Sequence, residues 1–282
     1  MIRIITDSAA DLTPQEQQAP GVVVVPMAIT FEDGSSIEDD GQMTKDEFFE
    51  RLAADSKLPR TSQPSPAAFI DAYTDAELAG DEAIVITVGQ KLSGTFQCAT
   101  MAAADVDTPV YVIDSETATQ GEALIVREAL RLRDMGLSAE QIVDVLERFK
   151  KRVRIVAVVD SLKHLQKGGR VPAAVALVGG ALGIKPVIAL YESAVKLVGK
   201  GRGRPGALVS MFKQLDEMGG VDTNYSCTVL YSDEKGMAGP VHHYLTQNLK
   251  LDGVRTCQIG ATIGTHVGPR AVGIVFVAKD PA

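Results

Sequence analysis

The residues best placed to do chemistry gather first around Ser93. The run Ala83-Ile-Val-Ile-Thr-Val88 is β-branched and apolar, which predicts a buried strand. Gly89 and a short turn follow, and Ser93-Gly94-Thr95 then opens an alanine-rich segment of helical propensity. Strand, hydroxyl-bearing turn and helix start aim backbone N–H groups and a serine hydroxyl at one point. A helix N-terminus carries unpaired donors and about half a positive charge, so the guest it suits is an anion. Ser93 itself has three readings: a helix N-cap, a donor to a bound oxyanion, or a nucleophile. His266 and Asp114 could complete a hydrolytic triad, yet Lys91 stands where a G-x-S-x-G elbow places its first glycine.

The other reactive side chains are sparser. Four histidines give no metal signature, because His242 and His243 are adjacent and neither H-E-x-x-H nor C-x-x-C occurs. No metal or cofactor is expected. His164, His242 and His243 read as surface or boundary residues. His266 sits among Gly264, Gly268 and Pro269, a glycine-rich turn in which the backbone either approaches a ligand or simply bends. Arg170 joins Lys200, Arg202 and Arg204 as the strongest cationic cluster. The glycines of Gly199–Gly206 predict a loop there, leading into a helix over Ala207–Met218. Such a loop can hold phosphate, but neither a P-loop nor a dinucleotide fingerprint is present.

These residues need elements to position them. At 282 residues the chain has room for two domains, each with its own core, and no apolar run approaches the roughly 20 residues of a membrane span. The start, MIRIITDSAADL, reads as a strand entering a turn rather than a signal peptide, and Cys98, Cys227 and Cys257 read as reduced core thiols, so the expected location is the cytoplasm. A net charge of −8 disfavours nucleic acid as a partner. The charge is polarised: residues 1–150 hold 11 Lys/Arg against 27 Asp/Glu, and residues 151–282 hold 17 against 9. That switch marks a boundary near Lys150–Arg154, giving domains of 1–153 and 154–282.

In the first domain, strands at Ile2–Thr6, Val22–Val25, Ala83–Val88 and Val110–Asp114 alternate with helices, which predicts a mainly parallel α/β sandwich. Met27–Phe31 reads as an extension of the second strand past Pro26. Thr44-x-x-Glu47 and Ser138-x-x-Gln141 are capping boxes, and Ser65-Pro66 is a cap followed by a first-turn proline. Polar turns at Asp7-Ser8, Ser93-Gly94 and Asp114-Ser115 would line one sheet edge, where open α/β sheets bind ligands. The second domain reads as mixed α/β: a strand at Ile155–Val159, a small apolar helix over Pro172–Leu182, a hairpin around Tyr191-Glu192-Ser193, a helix over Lys235–Leu249, and strands at Cys227–Tyr231, Val254–Ile259 and Gly273–Val277.

Several blocks together resemble one family, the DegV-like fatty-acid-binding proteins, whose members include FakB-type subunits of a fatty acid kinase. They are ITDSAADL at the start, TSQPSP at 61–66, LSGTFQ at 92–97, VIDSETATQG at 112–121, LQKGGRVP at 165–172, IKPVI at 184–188, GRGRPGAL at 201–208 and IGTHVGP at 263–269. The chain departs from the family pattern at Phe96, Glu122-Ala123, Pro205 and Arg270. Arg270 would either add positive charge near the site or point to solvent.

The resemblance implies a two-domain α/β carrier, not itself an enzyme, with one long-chain fatty acid buried between the domains. Its carboxylate would be held by Thr61, Ser93, the N–H groups around Gly94, and His266, with Val171–Leu182 helping to wall the acyl tunnel. It further implies a separate ATP-dependent kinase as partner, which would convert the bound acid to an acyl phosphate for phospholipid metabolism. Arg170, Arg202 and Arg204 are the expected docking residues for that kinase. Two rival readings stay open: a serine-dependent lipid or ester hydrolase, and a carrier of another amphipathic carboxylate without a kinase.

Overall fold

The computed structural model describes residues 1–172 and 183–280. The strands are Ile2–Asp7 (β1), Val22–Val25 (β2), Ala28–Thr30 (β3), Ser36–Glu38 (β4), Arg60–Ser62 (β5), Glu82–Thr87 (β6), Val110–Asp114 (β7), Val153–Val158 (β8), Ile184–Tyr191 (β9), Ala194–Arg202 (β10), Thr228–Tyr231 (β11), Arg255–Gln258 (β12) and Val272–Val277 (β13). The helices are Pro14–Gln17 (α1), Lys45–Ala54 (α2), Pro66–Leu78 (α3), Thr95–Ala102 (α4), Gln120–Asp134 (α5), Ala139–Phe149 (α6), Lys163–Lys167 (α7), Gly203–Glu217 (α8), Ala238–His243 (α9) and Ala261–Val267 (α10).

The described residues form three sheets. The first is wholly parallel, in the order β2-β1-β6-β7. The second, β10-β9-β8-β13-β11-β12, is antiparallel except for the β11/β12 pair. A small antiparallel sheet, β4-β3-β5, stands apart. The expected mainly parallel first half and mixed second half are therefore both present.

The layers follow from which faces are apolar. One side of the first sheet packs Ile5, Val25 and Val85 against Phe69, Tyr73 and Cys98 of α3 and α4. Its other side, through Ile4, Ile84 and Ile86, meets α5 and α6, and the same cluster continues into Ile155, Leu230 and Val275 of the second sheet. The far side of that sheet is covered by α8 and α9. The two halves thus share their largest core, while each also closes a smaller core of its own on the far side of its sheet. A continuous apolar layer excludes water better than two small cores in contact, and burial contributes about 25 cal/mol per Å².

Local signals placed several elements as expected. Thr44 and Ser138 close capping boxes with Glu47 and Gln141, and Ser65 accepts from the N–H of Ala68 at the start of α3. The hairpin β9–β10 turns on Glu192 and Ser193, both with positive φ (55° and 58°), the pairing that matches strand twist. Its tip is anchored: Ser193 Oγ donates to Asp114 Oδ2 at 3.1 Å, and Ser193 N–H to Glu116 O at 2.8 Å.

Other expectations are corrected. Pro26 ends β2 outright, and residues 28–30 join the small sheet instead of extending the strand. The basic stretch 199–206 is not a loop: β10 runs through Arg202 and α8 begins at Gly203, whose φ of +62° makes the turn between them. Lys235–Leu249 is broken into a 3-10 turn, the short α9 and a π turn over Tyr244–Asn248. His266 lies in the last turn of α10, not in a glycine-rich turn. The predicted helix at Pro172–Leu182 falls, from residue 173 on, outside the described residues.

Candidate functional site

The centre of the site joins two short elements that lie far apart in the chain. β5 carries Thr61, with Pro59 and Pro64 on either side of this edge strand. α10 carries His266, and Thr61 Oγ1 lies 2.8 Å from His266 Nε2. The imidazole fits because glycine lies beneath it. A Cβ on Gly168 would collide with His266 Nδ1, and one on Gly268 would collide with the His164 ring. His266 Nδ1 is buried and has no hydrogen-bond partner among the described residues. Burial, then the charges of Arg170 and His164, push its pKa down to about 4, so the ring is neutral at pH 7 with one donor and one acceptor nitrogen.

Ser93 enters from the opposite wall. Its hydroxyl pairs with Thr95 Oγ1 at 2.8 Å, while Gly94 holds the N-cap position of α4 without a side-chain cap. The N-cap reading of Ser93 is thereby replaced. Arg170 closes the third side, its Nε donating to Leu92 O at 2.8 Å and another N–H to Gly168 O. Loss of solvent lowers the guanidinium pKa, yet it stays charged, and among the described residues three of its five donors have no partner. Thr61, Ser93, Arg170 and His266 line one chamber together with apolar side chains such as Met27, Leu92 and Val195.

That chamber shares walls with two other cavities. Outward is a vestibule of about 600 Å³ lined by Lys57, Arg60, His164, Lys167, Arg170 and His266, with no acidic residue in its wall among the described residues. Inward is a second, almost wholly apolar chamber that shares Ala118, Leu165, Leu190, Val195, Ile263 and Val267 with the first. Strand register explains its shape. Leu197, Ile188, Ala157, Gly273 and Leu230 are successive partners across the second sheet, so their positions point to one face. The third and fourth members, Ala157 and Gly273, are the smallest, which leaves a trough flanked by bulkier residues. The two inner chambers are narrow, about 80 Å³ each.

The other sequence candidates fall as follows. Gly94 is exposed, and Gln63 packs so closely that a Cβ there would strike its side-chain oxygen. Arg170 belongs to the chamber wall. Arg202 ends β10, and Arg204 sits in the first turn of α8, 3.4 Å from Arg270 O. Arg270 pairs with Asp160 at 2.6 Å and is half exposed, which resolves its two readings in favour of the surface. No triad is assembled: Asp114 accepts from Gln90 N–H, Glu116 N–H and Ser193, not from His266. The cations Lys57, Arg60 and Lys167 were not singled out in the sequence. Only their meeting at one mouth gives them meaning, and spacing along the chain does not record it.

The predicted polar sheet edge exists and supports this wall. Asp7 accepts from Ala9 N–H on one oxygen and Val88 N–H on the other, tying the ends of β1 and β6; burial pushes its carboxyl up to about 7. The loop 115–119 crosses that edge with Glu116 and Thr119 at positive φ, bringing Ala118 into both inner chambers. Among the described residues no His, Cys, Asp or Glu cluster is arranged to hold a metal, and no helix is long and apolar enough to cross a membrane.

Comparison with known proteins agrees on one kinship. The family model described as "Uncharacterised protein, DegV family" matches residues 1–279. A DegV domain-containing protein of Deinococcus radiodurans is 35% identical over 279 residues, 98% of each chain. A DegV family protein of Thermus thermophilus, solved as a fatty-acid-binding protein, superposes with a TM-score of 0.88 at 30% identity, covering 99% of both chains. A stearic-acid-binding protein from Eubacterium ventriosum superposes at 0.89 with 29% identity and the same coverage. DegV from Bacillus subtilis, also described as a fatty acid binding protein, reaches 0.86 at 29%.

Proposed function

This chain belongs to the DegV family, and we propose on that premise that it carries one long-chain fatty acid and presents the carboxylate to a separate kinase. The observation that supports the reading most is the junction itself. Hydrogen-bond donors from Thr61, Ser93, Arg170 and His266 converge where a basic vestibule meets an apolar channel. A carboxylate there has charge and donors; buried without them it would cost several kcal/mol. An acyl chain of about fifteen methylenes gains a gross ~12 kcal/mol on leaving water, so the head-group contacts orient the ligand more than they retain it.

The narrow chambers bear on how the chain enters. The two inner chambers share six apolar side chains, so an acyl chain that starts at the head-group chamber would continue along one apolar wall into the second. The carboxyl end then faces the vestibule, where a phosphoryl donor held by another protein could reach it. The vestibule's positive charge favours that approach and favours an acyl phosphate once formed. Arg202 and Arg204 remain our assignment for the kinase's docking face.

Mass spectrometry of a solvent extract from purified protein tests the carrier reading. A stoichiometric long-chain fatty acid is the expected result; a protein that neither retains nor takes up such acids would end the proposal. The kinase step is read separately, as hydroxylamine-trapped acyl phosphate formed from the loaded protein, ATP and a fatty acid kinase. Binding without any trapped product would leave a carrier with no kinase.

A further inference from the structure

His266 can act on a ligand only if α10 is held in place, and seven residues are too few for a helix to be stable alone. Its N-terminus is gripped by two carboxylates of the first half of the chain. Asp39 Oδ2 accepts from Thr262 N–H at 3.1 Å and from the Thr262 hydroxyl at 2.6 Å. Asp11 Oδ1 accepts from Gly260 N–H at 2.7 Å, while its other oxygen takes the Thr119 hydroxyl at 2.6 Å. Lys45 Nζ lies 3.7 Å from Asp11 and donates to Gln258 O at 2.6 Å, fixing the approach to the helix. Glycines make the seat close. A Cβ on Gly260 would strike Asp11, and one on Gly264 would come within 2.8 Å of the Phe48 and Phe49 rings.

The topology makes this grip more than a cap. Asp39 follows β4 directly, and its N–H donates to Met27 O at 2.8 Å. β4 pairs with β3, and Ile29 of β3 lies opposite both Ile37 of β4 and Thr61 of β5. One small sheet therefore holds α10 at both ends: through Asp39 at its start, and through Thr61 at His266.

We infer that Asp39, supported by Asp11, is a positioning residue for His266, setting α10 so that Nε2 stays within hydrogen-bond reach of Thr61. The importance of that contact for a ligand rests on the carrier function proposed above; the positioning itself does not. Asp39 needs only its acceptor oxygen for this task, since both Thr262 donors converge on one atom. Asparagine should therefore replace it, and alanine should not.

The test uses full-length, delipidated protein as wild type, Asp39→Ala, Asp39→Asn and Thr61→Ala. The ¹⁵N resonance of His266 Nε2 is read first. In Asp39→Ala it should move at least half way to its position in Thr61→Ala, with Asp39→Asn staying at wild type. Dissociation of a fluorescent polyunsaturated fatty acid should speed up five- to fiftyfold in Asp39→Ala and stay within twofold in Asp39→Asn. A lowered Tm with the Nε2 resonance unmoved would reduce Asp39 to a scaffold residue and overturn the inference, as would failure of asparagine to rescue. Should Asp39→Ala not fold, Thr262→Val removes one of the two donors and should give a two- to fivefold effect with a shift of the same sign. An unmoved resonance there also overturns the inference. The ring is observed without ligand, so a shifted resonance in a protein that binds no fatty acid would refute the carrier function and leave the positioning role standing.

Discussion

Gly168→Ala offers the sharpest test of the site geometry, because it adds one methyl group at a point where the structure has no room. That methyl would collide with His266 Nδ1, stand 3.0 Å from Cε1 and 3.2 Å from His164 O. Relief requires the imidazole to retreat by about 1 Å, enough to stretch the 2.8 Å contact with Thr61 beyond the roughly 3.2 Å limit of a good hydrogen bond. Overpacking of this kind costs about 1–3 kcal/mol, and the lost hydrogen bond falls within that range. If the ligand's carboxylate uses the same ring, affinity should fall roughly fivefold to a hundredfold, since 1.4 kcal/mol is a factor of ten. The assay is a double-mutant cycle in fatty-acid titration calorimetry, with Gly168→Ala, His266→Ala and the pair. In the pair the collision is gone, so a coupling of at least 1 kcal/mol is expected. Wild-type affinity in Gly168→Ala, or strict additivity in the cycle, would refute the placement of the ring.

Two further outcomes follow from the same geometry. His266 has a folded pKa of about 4 against 6.5 in the unfolded chain, so above pH 6.5 neither state takes up this proton and the group contributes no slope. Between pH 6.5 and 4 the unfolded chain is protonated and the folded one is not, and the ligand-free protein should lose on the order of 3 kcal/mol relative to His266→Gln, measured by urea unfolding across that range; parallel curves for the two proteins would contradict the buried neutral ring. Ala118 lines both inner chambers, so Ala118→Leu should block the passage between them and shift the retained acid toward shorter chains in the extract. An unchanged acyl profile would place the chain elsewhere.

Much of the scaffold was legible because its signals are local. Capping boxes at Thr44 and Ser138 and the turn at Glu192-Ser193 each act over a few residues, and each appears where expected. The parallel sheet could be read from alternating elements for the same reason. The misreadings share a different cause, which is tertiary context outweighing propensity. Gly264 and Gly268 suggested a turn, yet their missing side chains serve close packing against Phe48, Phe49 and His164, and α10 forms around them. The glycines near Arg202 likewise suggested a loop, but pairing with β9 extends β10 to that residue, and Gly201 is needed for close approach of the Gly206 backbone. Ser93 and His266 could be singled out from their surroundings, and Thr61 through family resemblance. Arg170 looked like a surface cation until its hydrogen bonds to Leu92 O and Gly168 O placed it in the wall.

The site's closure has a bearing on how the protein comes into being. Thr61 and His266 are 205 residues apart, and Asp11 and Gly260 are 249 apart. Contacts of such long sequence separation form late, because a large loop of chain must be ordered before they can be rewarded. During synthesis the parallel sheet, Thr61 and Ser93 emerge long before α10, so the nascent first half has a hydroxyl-lined wall facing no imidazole. On the carrier function proposed above, a bound acid would report a finished fold: a chain that stops short of α10 also lacks β13, the strand between β8 and β11, and so has neither the complete large sheet nor the head-group contacts. For a carrier of that kind, lipid retention and native topology would become one measurement.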